Sequence, residues 1–412
     1  MKAILAALAL TAASPLFAQE SAAWRSVDSQ TGQISDLDGL TQLVEAFPDS
    51  SSVRLRLLNA QLGAEDIEGL KETLRWLKDR GYLFSEVARG QLPRLVGEDN
   101  AGEVAALLIP EADIIEASEV IATAPAEAGL IESVFAPATA PLMVATSVTG
   151  NAIHIFVPDA GWTAIAVPGA NDLSGIVGEP DDSMGWAASA NLDDSEDAEE
   201  LFTGLVGLRG DFQNPVFVAS PESAKALSDL AIGPDATVYA SDPVGGGVYR
   251  KPVGATEMHE LVAPGTFRSP QGLALSADGT RLYTSDYRYG LAIIDLEDGS
   301  VSRLRTDVPA ILDGVDGLWR HGDRLIAMQN GTSPMRITAL TLSEDGLSIT
   351  AVETLEQAHP GWTEPLGGSI SGNALVYVAT GQWDRFIKGE PVQDKPAIPT
   401  EIRRLPLLAG QD

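Results

Sequence analysis

The sequence predicts a mainly β protein: a six-bladed β-propeller over about residues 113–412, preceded by a small α-helical hairpin segment over 36–112. Three observations predict it. From about residue 113, β-branched and aromatic runs alternate with Gly/Asp/Asn/Pro turns, the pattern of short antiparallel strands. One stretch, FRSPQGLALSADGTRLYTSDYRYGLAIIDLEDGSVSRLRTD at 267–307, reads as four such strands in a row. A strand–turn–strand pair like its first half recurs six times, at steps of 42 to 54 residues, which is the spacing of propeller blades.

Taken in order, residues 1–18 read as an export signal. Lys2 supplies the positive charge, Ala3–Ala13 the short apolar run, and Ser14, Pro15 and Ala18 the small or helix-breaking end, with cleavage expected after Ala18. The chain is therefore expected in the periplasm or outside the cell. The apolar run is too short to span a bilayer and nothing downstream is longer, so no membrane insertion is expected. Residues 19–35 are polar and are expected to form a loose leader.

Helical spacing follows. Ile67, Leu70, Leu74 and Leu77 share one helix face, with Glu65 and Asp66 at its start, Lys78 and Arg80 at its end and Gly81 as a stop. Val53, Leu57 and Ala60 predict a helix over 51–62, ended by Gly63; others are expected over 38–47, 84–95 and 99–109. Short helices with tight turns suggest an antiparallel array that docks a protein partner and that can be removed without unfolding the propeller.

In the clearest blade, Gln271–Ser276, Arg281–Ser285, Leu291–Leu296 and Val301–Arg305 are the expected strands, with tight turns at Ala277-Asp278-Gly279 and Asp298-Gly299. The other blades begin IESVFAP at 131, LSGIVGE at 173, LSDLAIG at 227, VDGLWRH at 315 and PLGGSIS at 365. The acidic stretch NLDDSEDAEE, 191–200, is expected as a solvated insertion. SEVIATAP, 118–125, is an orphan strand before the first blade; it is expected to complete the last blade beside EIRRLPL, 401–407, and so close the ring.

Composition excludes several functions. With 58 Asp+Glu against 27 Lys+Arg, the chain has no basic excess to neutralise phosphates, so nucleic acid is not a partner. It has no cysteine, which removes disulfides, thiolate metal sites and a Cys nucleophile. No phosphate loop, zinc-helix motif or dinucleotide fingerprint occurs. His154, His259, His321 and His359 all lie away from the inner-strand starts and are expected to be structural.

Inner strands of a propeller line its central channel, so equivalent positions at their starts converge on one axis. Here the second residue of each repeat gives Glu132, Ser174, Ser228, Gln271, Asp316 and Leu366. Carboxylates in such a channel need a partner, because unpaired buried charge is costly. A hard divalent cation on oxygen ligands is one solution; a water-filled channel is the other. Asp286, Tyr287, Arg288 and Tyr289, then Gln329 and Asn330, then Gln382 and Trp383 stand in loops at the same end, either as ligand-binding groups for a small molecule or as ordinary loop residues.

SPQGLALSADGTRLYTSD, GVDGLWRHGDRLIAMQN, IESVFAP and LSDLAIGPDATVYASD together resemble the gluconolactonase / senescence-marker-protein / paraoxonase superfamily of six-bladed propellers, in a bacterial exported branch with an N-terminal tetratricopeptide-like segment. The resemblance implies Ca²⁺ held by Glu132, Ser228, Gln271 and Asp316, with Asp316 also the catalytic base of a lactone or ester hydrolase. Gln271 and Ser228 stand where that family has Asn. The alternative is a non-catalytic ligand-binding or scaffold propeller whose helices dock a partner.

Overall fold

The computed structural model describes residues 22–137, 139–181, 183–192, 202–210, 212, 214–388 and 390–407. The expected export signal, and residues 193–200 of the expected acidic insertion, lie outside the described residues. Among those described, no helix is long and apolar enough to cross a membrane.

The helices come first: α1 Leu37–Ala46, α2 Ser51–Gly63, α3 Ile67–Lys78, α4 Glu86–Leu95 and α5 Glu98–Leu107. Short oxygen-bearing side chains start four of them. Asp36, Ser50, Asp66 and Ser85 each accept a backbone N–H three residues on, satisfying a donor that the first turn leaves free. In α3 the predicted stripe is the buried one, with Leu70, Leu74 and Leu77 inaccessible, and Gly81 ends the segment at φ +70°.

Six antiparallel sheets follow. Blade 1 runs outward from Ile131–Phe135 to Gly161–Ala166, blade 2 from Asp172–Gly178 to Val216–Ala219, and blade 3 from Leu230–Ile232 to His259–Val262. Blade 4 runs from Pro270–Leu275 to Val301–Arg303, and blade 5 from Gly317–His321 to Ser348–Gln357, where Arg305–Thr306 adds a parallel edge. Blade 6 begins with Gly368–Ser371, Ala374–Val378 and Thr400–Pro406; its fourth strand is Glu119–Ala124, antiparallel to Thr400–Pro406. The ring is thus closed by the orphan strand, as expected from the sequence.

Apolar residues form wedges between neighbouring blades. Val144, Ile176, Ala187, Val206 and Leu208 fill one between blades 1 and 2, and Val134, Ala145, Leu366, Val376 and Ile402 another between blades 6 and 1. The wedge between blades 3 and 4 is extended by the N-terminal residues. Trp24, Phe47, Val53 and Leu57 share a cluster with Phe267, Leu282 and Tyr289.

This corrects the loose leader. From Ala22 onward it is packed: Trp24 N–H donates to the Val301 carbonyl at 3.2 Å, Val27 N–H to Thr266 at 3.2 Å, and the Trp24 ring sits 5.0 Å from Phe47 and 5.3 Å from Phe267. Three apolar side chains in a mostly polar stretch, Trp24, Val27 and Ile34, anchor it to this cluster.

Candidate functional site

Inner strands approach one another at their starts through backbone hydrogen bonds between blades. Gly175 N–H donates to Ser228 O, Gly272 N–H to Asp316 O, and Gly367 N–H to Glu132 O. A Cβ on Gly175 or Gly272 would collide with the next blade's backbone, so glycine there permits the close approach. The strands converge at the positions read from the sequence, with one correction. Leu366 keeps the register, since Gly367 after it donates to Glu132 as Gly175 and Gly272 donate to Ser228 and Asp316, but its apolar side chain is buried in the wedge between blades 6 and 1 and offers no ligand.

The two ligand-type carboxylates are braced by neutral donors. Trp383 Nε1–H donates to Glu132 Oε2 at 2.8 Å. Asn330 Nδ2 donates to Asp316 Oδ2 at 3.0 Å and to the Pro365 carbonyl at 3.1 Å, while the Tyr287 hydroxyl donates to Asn330 Oδ1 at 2.8 Å. Gln271 donates its amide N–H to Ser269 Oγ at 3.3 Å, leaving the amide oxygen for another partner. The Ser228 carbonyl is committed to Ser174 Oγ at 3.1 Å as well as to Gly175 N–H.

Two further carboxylates stand in this field. Burial first, then the charges of Asp316 and Asp229, push the Glu132 carboxyl well above its ordinary range, against the Trp383 bond. Burial, then Asp229 and Glu364, do the same to Asp316, against the Asn330 bond. Burial pushes Asp229 up to about 7 and raises Glu364. Each of these side chains is half-buried, and the surrounding protein disfavours its charged form. Asp229 also lines the constriction below, where its neighbours are Ser133, Gly175, Gly272, Gly317 and Gly368. It is the charged group among small and apolar residues, which also include Ile176, Leu230, Leu273, Leu318 and Trp319. Even so, no three Asp, Glu or His side chains among the described residues lie close enough to form a ready-made metal shell.

The loop residues divide by position. Asp286, Gln329 and Gln382 are buried and tie their own loops. Asp286 accepts from Arg268 N–H at 2.6 Å, Gln329 donates to the Ile311 and Asp313 carbonyls at 3.0 Å, and Gln382 accepts from Ile398 N–H at 2.7 Å. The residue after each one, Tyr287, Asn330 and Trp383, serves the axial site. Tyr289 belongs to the core, its ring 4.7 Å from Phe47, and Arg288 lies 5.7 Å from the Tyr287 ring. None of the hydrogen bonds and charge effects at the axial carboxylates involves a histidine.

Reading from the sequence selects Ser228 as the ligand over its neighbour Asp229, and it misses Glu364. Asp229 neighbours Ser228 in LSDLAI, so only the strand register separates them. Glu364 lies in the loop before blade 6, where no periodicity points to the axis.

Fold and site together define a class: a six-bladed β-propeller with an acidic site at one mouth of its channel. No protein-family model matches the chain, and no curated protein matches its sequence. In structure it is similar to gluconolactonase-like and related propellers. Virginiamycin B lyase from Staphylococcus aureus is 12% identical, covering 69% of this chain and 99% of that one at a TM-score of 0.48. A gluconolactonase from Xanthomonas campestris is 14% identical, covering 73% and 99% at 0.46. A putative gluconolactonase is 15% identical, covering 72% and 95% at 0.46. The six blades stand on this chain's own sheets, and its chemistry rests on its own residues.

Proposed function

We propose that this chain is an exported hydrolase of a lactone or ester, working at the axial acid site with a bound calcium ion. The observation that carries the reading is the convergence of Glu132, Asp229, Asp316 and Glu364, each held above its ordinary carboxyl range by burial. Carboxylates placed so that each disfavours the others' ionisation are costly unless something positive sits among them. The donors fit a hard cation, since all are oxygens: Glu132 and Asp316 as carboxylates, Gln271 through its amide oxygen and Ser228 through its hydroxyl. Asp229, next to Ser228, adds a charged oxygen where the resemblance expects a neutral one.

Calcium held there by Glu132, Ser228, Gln271 and Asp316 would supply the positive charge that favours a developing oxyanion. The remaining work belongs to side chains. Asp316 takes a proton from the attacking water. Asn330 fixes the orientation of that carboxylate, Tyr287 fixes the orientation of the Asn330 amide, and Trp383 holds Glu132.

A second reading, a non-catalytic ligand-binding propeller, is favoured by the absence of a ready-made three-ligand shell among the described residues. In it, protonated carboxyls and the Tyr287, Asn330 and Trp383 groups hydrogen-bond a polar small molecule, and α4, which buries no side chain and exposes Val87 and Leu95, docks a protein partner.

Metal content by mass spectrometry and the melting temperature with calcium or chelator separate the two. One tightly held calcium, a chelator-sensitive melt and loss of lactone or ester turnover in Asp316→Asn support the hydrolase. No metal and no response to calcium support the binding protein. Export is tested by sequencing the N-terminus of protein recovered outside the cytoplasm.

A further inference from the structure

We infer that the chain carries a second small-molecule site, at the opposite end of blades 1 and 2 from the acid site, for a short-chain carboxylate. Inner strands begin at the acid mouth and end at the other face, and there Phe135, Leu142, Val144, Ile176, Leu208 and Phe212 line a groove of about 130 Å³. Its floor is the apolar wedge between the two blades, since Val144, Ile176 and Leu208 belong to that core and Phe135, Leu142 and Phe212 pack against it. Neighbouring blades elsewhere fill such wedges with side chains. Here one is missing: Gly185 stands directly opposite Leu208, so any side chain it carried would face the same way, and a Cβ there would meet nothing nearer than the Val177 carbonyl at 3.7 Å.

An apolar cavity of about 150 Å³ is large enough to hold a benzene ring, so this groove takes a chain or ring of about six carbons. The polar end is set by Arg209. It follows Leu208 at the groove's edge and is exposed, and its guanidinium makes no hydrogen bond or ion pair with a described residue. In a chain with 58 acidic against 27 basic residues, a guanidinium with no partner among the described residues, beside an apolar slot, is a local exception to the overall charge. The fork of N–H donors matches a carboxylate better than an alcohol. The occupant is therefore an amphiphile with a short apolar tail and an anionic head.

Titration calorimetry on the full chain with sodium hexanoate and with 1-hexanol tests this. Saturable hexanoate binding is expected, tighter than hexanol. Arg209→Met should weaken hexanoate about tenfold or more and leave hexanol unchanged. Gly185→Leu should abolish binding of both with an unaltered circular dichroism spectrum, and Glu132→Gln should change neither, which separates this site from the axial one. No saturable hexanoate binding, or binding that survives Gly185→Leu, overturns the site. Hexanol binding as tightly as hexanoate overturns the role of Arg209. If Gly185→Leu does not fold, the exposed Arg209 variant still decides between these outcomes.

Discussion

Asp313, in the segment leading into blade 5, caps helix α2 from 262 positions away: its carboxylate accepts Ser51 N–H at 2.7 Å and Ser52 N–H at 2.8 Å. It also takes the Ser51 hydroxyl at 3.0 Å. Beside it, the Ser50 hydroxyl caps Val53 N–H and donates to the Arg288 carbonyl at 2.7 Å. A carboxylate at a helix N-terminus meets free N–H donors and the positive end of the helix dipole together. The helical segment is thus bolted to the propeller at the loops that also carry Tyr287 and Asn330.

Asp313→Ala should therefore lower stability by about 2–3 kcal/mol, the worth of losing a charged cap whose N–H partners stay buried. The denaturant midpoint measures it. A midpoint matching the wild type would mean that Ser50 alone holds the helix.

Removing residues 22–110 should not leave a stable propeller. Trp24, Phe47, Val53 and Leu57 cover Phe267, Leu282 and Tyr289 in a shared cluster, and burying one such side chain is worth ~1.5–3 kcal/mol. The truncated chain is expected to be insoluble or to melt far below the full chain. A soluble truncation melting at the full-chain temperature would restore the separable helical segment that the sequence suggested.

What was legible and what was not divides along physical lines. The five helices, the blade repeat and the closing strand were legible because each depends on local spacing and turn chemistry. The docking of Trp24 was not, since a single aromatic residue in a polar leader has no period. Glu132 and Asp316 could be placed because they stand at equivalent positions of the blade repeat. The axial role of Asp229 could not, because a repeat aligned by spacing does not fix which of two adjacent residues faces the channel, and inner strands here are irregular at their starts, with register shifts between Ile131 and Ser133, Leu173 and Ile176, and Pro270 and Leu273. A slip of one residue exchanges the channel face for the blade face.

The metal-free protein should be most stable at mildly acidic pH. Asp229 is held at about 7 in the fold against 3.8 for the free side chain, and Glu132 and Asp316 are raised in the same direction. Between those values the folded chain keeps protons that the unfolded chain releases, so stability falls as pH rises from about 4 through about 7. Asp278, held down to about 2 by Ser276 and Thr280, has already ionised and adds no slope there. Melting temperatures at pH 5, 6, 7 and 8 should fall in chelator and flatten in calcium. A flat chelator profile would show that these carboxyls are not held above their ordinary range in the fold.

Tyr287→Phe should disturb the site without unfolding the protein. The hydroxyl occupies Asn330 Oδ1, which directs Nδ2 at Asp316. Without it the amide is free to turn its oxygen toward the carboxylate. Groups that orient ligands from behind typically carry 10- to 100-fold in affinity or rate, so calcium affinity and turnover should drop about tenfold or more. Unchanged calcium affinity would remove Tyr287 from the site.

The ring should open at Glu356. This carboxylate, fully buried in the outer strand of blade 5, accepts Ala117 N–H at 3.2 Å, Ser118 N–H at 3.0 Å and the Ser118 hydroxyl at 2.7 Å on one oxygen, and the Tyr377 hydroxyl at 2.8 Å on the other. Arg403 grips the same serine, through Nε to its hydroxyl at 2.9 Å and Nη2 to its carbonyl at 3.1 Å. Blades 5 and 6 thereby hold the start of the strand that closes the propeller and covers its open edge. Glu356→Gln should be tolerated within about 1 kcal/mol, because the amide oxygen can keep Ala117 and Ser118 while the amide N–H₂ donates to the Tyr377 oxygen. Glu356→Met has no such arrangement. It leaves buried donors on Ala117, Ser118 and Tyr377 without their acceptor, at a cost of about 3 kcal/mol or more. The Met variant should melt several degrees lower and become sensitive to limited proteolysis between residues 110 and 125, while the Gln variant resists. If both variants melt and digest like the wild type, closure rests on the strand pairing alone.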